Sequence, residues 1–525
     1  MEAVAGAVTD RRLPRGGAGR PLAAWQQGLV WLWAAVCVAA IYREGQHAQL
    51  DRHVTNRLRF HAIPVAISVL YHGAPHDYTA FESVAFPFQD VTADIDERIA
   101  RAVKRPPPAG DPTYYWAADD RGMGDYVIGA FALFGPRAES LYLFYFVVLG
   151  ASVMLFLADL AWHPLAAALL VFALAAIYTC TRVIPLGNLT LAIFEPGSLY
   201  EPRVVELLSY IATLHLALAP FVSDRWSPAR RAIVAGQAAV LLACFHARST
   251  VAWELVFVAA AGAACVLWRG VRRGDQAGPP AGRVVLTAAW PLLCVVLGIG
   301  LLKAYQHVTY HPRYFQDMGA RTVWHNALMG LWVNDHLAGK YQLRVNDRVV
   351  IAAVRNFLRE SHDPRLTPEW TDSAVLGALG GHSTFNWFIY EKTAKDLYWH
   401  IWRGDTRDML HCYLIDKPRE IVNVLVAASS PDRRFTRDIP GLGFRPLAPA
   451  PLLLALPGLL LVAAGNVGLT TVTVATLFLF ACSLAPGVLF YPVVHTMIGS
   501  FATISLAVYA ALAQAASIAI RWVWR

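Results

Sequence analysis

The sequence predicts an all-α polytopic membrane protein with about ten transmembrane helices and two extracytoplasmic, mainly helical loop domains. Hydrophobic residues make up 56% of the chain and charged residues only 16%, whereas a soluble protein of this length exposes far more charge. Apolar runs of about 20 residues, enough to cross a ~30 Å hydrocarbon core, recur along the chain. Helices are the expected spanning elements, because lipid offers no hydrogen-bond partner to a backbone.

Ten apolar runs give the predicted membrane helices, at 23–42, 140–160, 165–180, 204–222, 233–245, 251–268, 284–304, 449–464, 469–485 and 488–520. The last run is long enough to include a non-spanning turn. The chain then divides into six parts in order. These are a cytoplasmic tail (1–21), the first transmembrane helix (22–42), a first extracytoplasmic loop (43–139), transmembrane helices two to seven (140–304), a second extracytoplasmic helical domain (305–448), and helices eight to ten with the C-terminal tail (449–525). The N-terminal run is long for a cleaved signal peptide, which favours an uncleaved anchor.

The positive charges predict the orientation. Arg-rich segments at 224–231, 269–283 and 521–525 connect or end membrane helices, and such segments stay on the cytoplasmic side. Both termini are then cytoplasmic, and both large polar segments lie outside. The net charge of +8 therefore indicates membrane orientation and not a nucleic-acid partner. Abundant Arg and Ala are typical of a GC-rich bacterial genome, which predicts a multi-pass protein of a bacterial inner membrane.

The cysteines and the known short motifs narrow the chemistry. Seven cysteines with no CxxC pair do not favour a disulfide framework or a zinc site. A phosphate-binding GxxxxGK[ST] loop and an HExxH metal motif are both absent from the sequence. No cofactor and no metal ligand set is predicted, although a divalent cation at the acidic residues below stays open.

Adjacent carboxylates at Asp119 and Asp120 are the first candidate catalytic residues. A carboxylate beside the membrane can accept a proton from an incoming hydroxyl group when it lies within hydrogen-bond reach. The alternative is an N-cap, since an Asp before a helix accepts from free backbone N–H groups. Arg121 and Asp125 flank the pair. Arg121 either contacts a substrate phosphate or neutralises its acidic neighbours.

Two further connections on the predicted outer side carry charged candidates for substrate binding. Glu201 and Arg203 lie between the third and fourth helices, in a loop that either lines a cleft or is only shaped by Pro and Gly. His246 and Arg248 link the fifth and sixth helices, where ionisable groups are costly and face a cavity or each other. Arg248 is a candidate phosphate ligand, and the alternatives are a pair with Glu254 or snorkelling to the interface.

Aromatic and histidine candidates complete the predicted site. Trp324 can stack on a sugar ring, and His325 beside it can donate to a sugar or a phosphate. A single His on an aromatic helix is also typical of a satisfied core residue. His495 lies near the start of the tenth predicted helix, at the outer surface.

The first 160 residues resemble the GT-C superfamily of integral-membrane glycosyltransferases. The resemblance rests on an acidic pair in the first long outer loop (Asp119 and Asp120), a short apolar run ending in Phe-Gly (126–135), and the second membrane helix directly after it. The run at 126–135 is too short to span and should lie along the membrane surface. The WWDYG signature of oligosaccharyltransferases is absent, which argues against that branch.

The resemblance implies a polyprenyl-phosphate-linked sugar donor in the bilayer and a glycan, lipid or protein acceptor on the outer side. It also implies that Asp119 or Asp120 deprotonates the acceptor hydroxyl, with inversion at the anomeric carbon. Two other functions stay open. One is a transporter or flippase of a lipid-linked envelope precursor, and the other is a non-catalytic partner in a polysaccharide-assembly complex.

Overall fold

The computed structural model is almost entirely helical. It describes residues 21–49, 62–77, 79–85, 88, 94–115, 122–183, 205–222, 226–272, 281–312, 315, 323–360, 387–429, 444–464, 469–493 and 496–523. Within these ranges, β-structure is limited to two short antiparallel strands that pair Thr79 with Tyr115 and Phe81 with Thr113.

The elements fall into four groups along the described parts of the chain. The first part gives α1 (Ala24–Gln49), α2 (Ala62–His72), β1 (Thr79–Phe81), α3 (Glu82–Ala85), α4 (Ile95–Lys104), β2 (Thr113–Tyr115) and α5 (Gly122–Phe134). Six long helices follow: α6 (Ala138–Leu160), α7 (Pro164–Val183), α8 (Val205–Val222), α9 (Pro228–Ala247), α10 (Ala252–Arg272) and α11 (Ala281–Thr309). The second polar segment gives α12 (Val323–Met329), α13 (Asp335–Tyr341), α14 (Asp347–Glu360), α15 (Trp387–Gly404), α16 (Thr406–His411) and α17 (Lys417–Ser429). The chain continues with α18 (Pro449–Ala464), α19 (Leu469–Ser483), α20 (Ala485–Leu489) and α21 (Ile498–Val523).

Eight of the described helices are long and apolar enough to cross a membrane, namely α1, α6 to α11 and α21. The prediction of a polytopic all-α membrane protein is therefore compatible with the structure. The predicted eighth and ninth spans are helices, but α18 has 16 residues and α19 has 15.

The predicted run 488–520 contains the non-spanning turn that its length allowed for. The chain leaves the helix after Leu489 and resumes at Ile498. Pro492 cannot donate a backbone N–H, which disfavours a continuous helix. The Thr496 hydroxyl instead donates to the carbonyl oxygen of Tyr491 at 2.7 Å and closes a turn.

Helix α7 lies at the centre of the bundle and packs against α1, α18 and α21. Its Ala-rich sequence leaves little side-chain bulk, so neighbouring backbones approach closely. At Gly458 of α18, a β-carbon would lie 2.6 Å from the Phe172 ring and 3.1 Å from the Ala168 carbonyl oxygen. The bundle is therefore held by close packing of small residues.

Each end of the bundle contains buried ionisable side chains. At one end Arg230 Nε donates to both oxygens of Asp159, at 2.8 and 3.1 Å, and His215 Nε2 lies 3.1 Å from the same carboxylate. At the other end Glu206 accepts from the indole N–H of Trp253 at 2.7 Å, and Glu254 accepts from the Ser209 hydroxyl at 2.8 Å. We call these the Asp159 end and the Glu206 end.

The first polar segment packs as a small unit at the Glu206 end. Helix α2 contacts α4 and α5 around a core that includes Ile63, Ile99 and Phe131. The Asp94 side chain caps α4 by accepting from the backbone N–H of Asp96 at 2.9 Å. Asp96 in turn accepts from the backbone N–H of Ala138 at 2.8 Å, which ties α4 to the start of α6.

The second polar segment has a core of its own, built by α12 to α16 around buried residues such as Leu328, Val354 and Ile401. Apolar residues at helical spacing predict helices at 347–359 and 390–402 and a further helix at 418–428, and the structure has them as α14, α15 and α17. The ammonium group of Lys417 joins this segment to α20, because it donates to the carbonyl oxygens of Val488 and Phe490 at 2.9 Å each.

Candidate functional site

Asp125 is the centre of a polar cluster at the Glu206 end of the bundle. It lies in the first turn of α5, where the helix dipole favours a negative charge. Its Oδ1 accepts from His76 Nε2 at 2.8 Å, and its Oδ2 accepts from His246 Nε2 at 2.7 Å. The hydroxyl groups of Tyr305 and Tyr310 donate to the same carboxylate at 3.2 and 3.1 Å. We call these five residues the Asp125 cluster.

Close backbone packing brings the cluster together. A β-carbon at Gly122 would lie 2.1 Å from the carbonyl oxygen of His246, so only glycine lets the start of α5 touch the end of α9. The loop that carries His76 is fixed separately, because the backbone N–H of His311 donates to the Asp77 carbonyl oxygen at 3.1 Å. Three other chain segments thus place their side chains around the carboxylate of Asp125.

The cluster is buried on the side of Tyr310 and Gln306 and open to solvent on the side of His76. Tyr310 and Gln306 are buried, and Gln306 Nε2 lies 3.3 Å from His246 Nδ1. The Tyr310 hydroxyl lies 2.7 Å from His246 Nε2, which fixes that ring from a second side. The side chain of His76 is 38% exposed and that of Asp125 is 21% exposed. A ligand can therefore reach His76 and one edge of Asp125.

Hydrogen bonds within the cluster shift the pKa values of Asp125 and His76 in opposite directions. Burial by itself raises the pKa of Asp125, but the hydrogen bonds from His246 and His76 outweigh it and hold that pKa well below its usual range. The hydrogen bond to Asp125 raises the pKa of His76 above its ordinary value of 6.5. Asp125 is thus a poor proton acceptor near neutral pH, since a general base needs a pKa near the working pH. Its effect is to orient the His76 ring and to keep it protonated to a higher pH than an ordinary histidine.

Asp125 and His246 were predicted as substrate-binding residues from separate parts of the sequence, and the structure joins them directly. Arg248 follows two residues after His246 and ends α9, with its backbone N–H donating to the Cys244 carbonyl oxygen at 2.8 Å. It interacts electrostatically with Glu206. Glu254, the alternative partner of Arg248, accepts hydrogen bonds from Ser209 and Thr213.

Trp324 and His325 lie elsewhere, in the core of the second polar segment. His325 is buried, with Nε2 bonded to Asp347 at 3.0 Å and Nδ1 bonded to the Tyr390 hydroxyl. Trp324 packs against Tyr398 with ring centroids 5.4 Å apart. Both residues thus make their contacts within α12 to α15. His325 has the buried, hydrogen-bonded position of a core histidine.

The remaining predicted site residues lie outside the described parts of the chain. They are Asp119, Asp120, Arg121, Glu201, Arg203 and His495. Asp119 and Asp120 precede Gly122 by three and two positions, so the start of α5 anchors the segment that follows the acidic pair.

Sequence reasoning missed His76, Tyr305 and Tyr310 as partners of Asp125. Their contacts join positions 49 to 185 residues apart, and no local spacing encodes such a contact. One signal was available, since a histidine lies in the turn-rich segment of the first loop. The aromatic residues just after the seventh span gave a second, weaker signal.

One group of possible metal ligands, His336, Asp405 and Asp408, lies within reach of a shared ion in the described ranges. It is a surface group, with the His336 side chain 59% exposed. Lys340 already binds both oxygens of Asp405 at 2.8 Å, so the geometry favours an ion pair there.

Searches of protein-family models, curated proteins and solved structures gave no match to this chain.

Proposed function

We propose that this chain is a GT-C-type membrane glycosyltransferase that moves a sugar from a polyprenyl-phosphate-linked donor to an acceptor hydroxyl. The observation that carries the proposal is the Asp125 cluster. It fixes the start of α5, two residues after the Asp119–Asp120 pair, against the end of α9, beside Arg248 and the His76 ring. A carboxylate pair and fixed cations at one membrane face suit chemistry on a phosphate-linked substrate.

The charges support an orientation for this arrangement. Arg230 and Arg231 lie at the start of α9, at the Asp159 end, and positive residues beside membrane helices favour the cytoplasmic side. With that end inside, both termini are cytoplasmic, and the Asp125 cluster and both polar segments face the outside of a bacterial inner membrane. A donor carried in the outer leaflet then reaches the site from the lipid.

The proposed reaction needs a base and a stabilised leaving group. Asp119 or Asp120 takes the proton of the acceptor hydroxyl while that oxygen bonds to the anomeric carbon. The bond from the anomeric carbon to the phosphate oxygen breaks with inversion, and the phosphate leaves with the electron pair. His76, protonated and oriented by Asp125, and Arg248 contact the departing phosphate, as fixed charge does in other transfer reactions. Asp125 itself is a positioning residue.

The test uses the full chain, purified in lipid nanodiscs with candidate polyprenyl-phosphate sugars and an acceptor lipid. Asp119→Asn or Asp120→Asn should lower the transfer rate by about 10²–10⁴-fold, the usual contribution of a general base. Asp408→Asn is the matched control, since Asp408 lies in the second polar segment and is partly exposed; it should transfer at the wild-type rate.

Other outcomes would redirect the assignment. Wild-type transfer by both loop variants would overturn the catalytic role of the pair. Movement of the donor between leaflets without transfer would favour the flippase function. The absence of any transfer together with a stable complex with another envelope protein would favour a non-catalytic partner.

A further inference from the structure

An exposed apolar stripe runs along α16, the π-turn Cys412–Asp416 and α17. The side chains of Leu410, Leu414, Val422 and Val426 are 45%, 67%, 56% and 50% exposed. They are spaced by four or eight residues, which places them on one face of a helix, and Pro418 between them is exposed as well. At 1.5 Å per residue, the stripe is about 25 Å long.

The opposite face of α17 packs on α20 and contributes to the core of the bundle. Ile421 and Val424 are buried in the same core cluster as α7, α8 and α21. Ile421 lies against Gly487 of α20. A helix that is apolar on two opposite faces fits apolar surroundings on both sides. Among the described residues, protein covers only the face of α17 that carries Ile421 and Val424, and the face that carries Val422 and Val426 is exposed.

Lys417 fixes the depth of α17 along the bundle. Its bonds to Val488 and Phe490 hold the start of α17 against the end of α20. Between these two residues Leu489 is 57% exposed, and Leu477 and Phe478 on α19 are exposed too. The apolar stripe therefore continues the exposed apolar surface of the bundle, the surface that faces lipid in a membrane protein.

The charged residues around the stripe suit a lipid surface. Arg403, Arg407 and His411 are exposed at its N-terminal end, and Arg419 follows Pro418. Long basic side chains at the edge of an apolar face reach lipid headgroups while their stems stay in apolar surroundings. Contiguous exposed apolar patches of this kind are rare on soluble surfaces and mark interaction sites.

We propose that α17 and the π-turn before it are a monotopic membrane element, with the stripe immersed at the boundary between headgroups and acyl chains. The second polar segment is then seated on the bilayer by this element, as amphipathic interfacial helices are. The occupant of the stripe is bilayer lipid. This proposal does not depend on the chemistry of the Asp125 cluster.

Site-directed spin labelling of the full chain in nanodiscs tests the proposal. The two partly buried cysteines, Cys294 and Cys482, are replaced by serine. The other five cysteines are buried and stay in place. A labelled cysteine then replaces Leu414 or Val422. Leu301, 72% exposed on α11, gives the lipid-facing reference, and the exposed Asp335 on α13 gives the aqueous reference.

The measurement compares the accessibility of each label to oxygen, which concentrates in lipid, and to a polar nickel chelate, which stays in water. Labels at Leu414 and Val422 should match the Leu301 reference, with an oxygen-to-nickel ratio several-fold above that of Asp335. Two labels guard against a local distortion at either one.

Three results would overturn the proposal. Ratios equal to the Asp335 reference would place the stripe in water. Low accessibility to both reagents together with dipolar broadening between labels would show a second copy on the stripe. Nickel accessibility that falls only after a polyprenyl-phosphate donor is added would show that the substrate chain covers the stripe.

Discussion

The carbonyl oxygen of His246 fills the space that a β-carbon at Gly122 would need, with only 2.1 Å between them. This contact joins the N-terminus of α5 to the C-terminus of α9. It also sets Asp125, one turn further on, within 2.7 Å of the His246 ring. The position of the first polar segment relative to the bundle therefore depends on a residue without a side chain.

Gly122→Ala should separate α5 from α9 and displace the segment that carries Asp119 and Asp120. A displacement of about 1 Å can cost about 100-fold in rate, so sugar transfer should fall by that order, with a lower unfolding midpoint. Gly300→Ala is the control, because a β-carbon at Gly300 meets nothing within 4 Å. Equal transfer rates and equal midpoints in the two variants would contradict this role for Gly122.

Asp125→Asn should change the pH dependence of donor binding. The carboxylate raises the pKa of His76 above 6.5, so His76 stays charged to a higher pH in the wild type. Without the carboxylate that pKa falls back toward its ordinary value, and the charged fraction of His76 shrinks first at pH 7 and above. The KM for the donor should therefore rise with pH in Asp125→Asn at a lower pH than in the wild type.

The readout for Asp125 is the KM for the donor between pH 5.5 and 8.5, a range on either side of the ordinary histidine pKa of about 6.5. His76→Gln should show a raised KM that does not depend on pH in this range. A uniform loss of kcat in Asp125→Asn with an unshifted KM profile would show that Asp125 does not act through His76.

Asp159→Asn should destabilise the bundle at the Asp159 end. Arg230 would keep its buried position, where it also stacks 4.5 Å above the Trp226 ring, but would lose its counter-charge. Removal of one partner of a buried ion pair typically costs about 3–5 kcal/mol. The unfolding midpoint in detergent should fall clearly, whereas the exposed neighbour Arg231, changed to Met, should alter it little.

The double variant Asp159→Leu with Arg230→Met separates charge from packing. It removes both charges and keeps apolar volume, so it should recover much of the stability lost in Asp159→Asn. A double variant that is less stable than Asp159→Asn would show that the hydrogen bonds of Arg230, including the 2.9 Å bond to the Ala219 carbonyl oxygen, matter more than the balance of charge.

Lys417→Met should loosen the second polar segment from α20. The substitution keeps the length of the side chain and removes the donor for the carbonyl oxygens of Val488 and Phe490. Unsatisfied buried acceptors cost about 1–3 kcal/mol, so hydrogen exchange should speed up in α17 and at residues 488–490. Lys340→Met is the control, because Lys340 forms an exposed pair with Asp405. Equally slow hydrogen exchange in α17 of both variants would contradict the role of Lys417 in joining α17 to α20.

The membrane helices could be predicted because lipid imposes one simple requirement, a long apolar run. The run predicted at 488–520 was long enough to include a turn, but hydropathy did not give the position of that turn, because Phe490 and Val493 are apolar. Pro492 was the local signal for the break. The helices of the second polar segment were also predictable, since α14 has apolar residues at helical spacing between charged ones.

The candidate site was only partly predictable. Asp125 and His246 were each recognisable as ionisable residues beside apolar runs, where burial of charge requires a partner. Which partner each one takes depends on how α2, α5, α9 and α11 pack. His325 shows the converse case, since the same local signal marks a buried residue whose bonds to Asp347 and Tyr390 hold α12, α14 and α15 together.

Glu206 of α8 connects its own helix with α10 and α21, which are synthesised later. Its Oε1 accepts from Trp253 on α10 and, at 3.1 Å, from the backbone N–H of Gly499 at the start of α21. A β-carbon at Gly499 would lie 2.3 Å from that oxygen. During synthesis, the carboxylate of α8 therefore enters the bundle 293 residues before its last donor exists. Completion of the fold then waits for α21, and a chain that stops short of it leaves this carboxylate with the Trp253 donor but without the Gly499 donor.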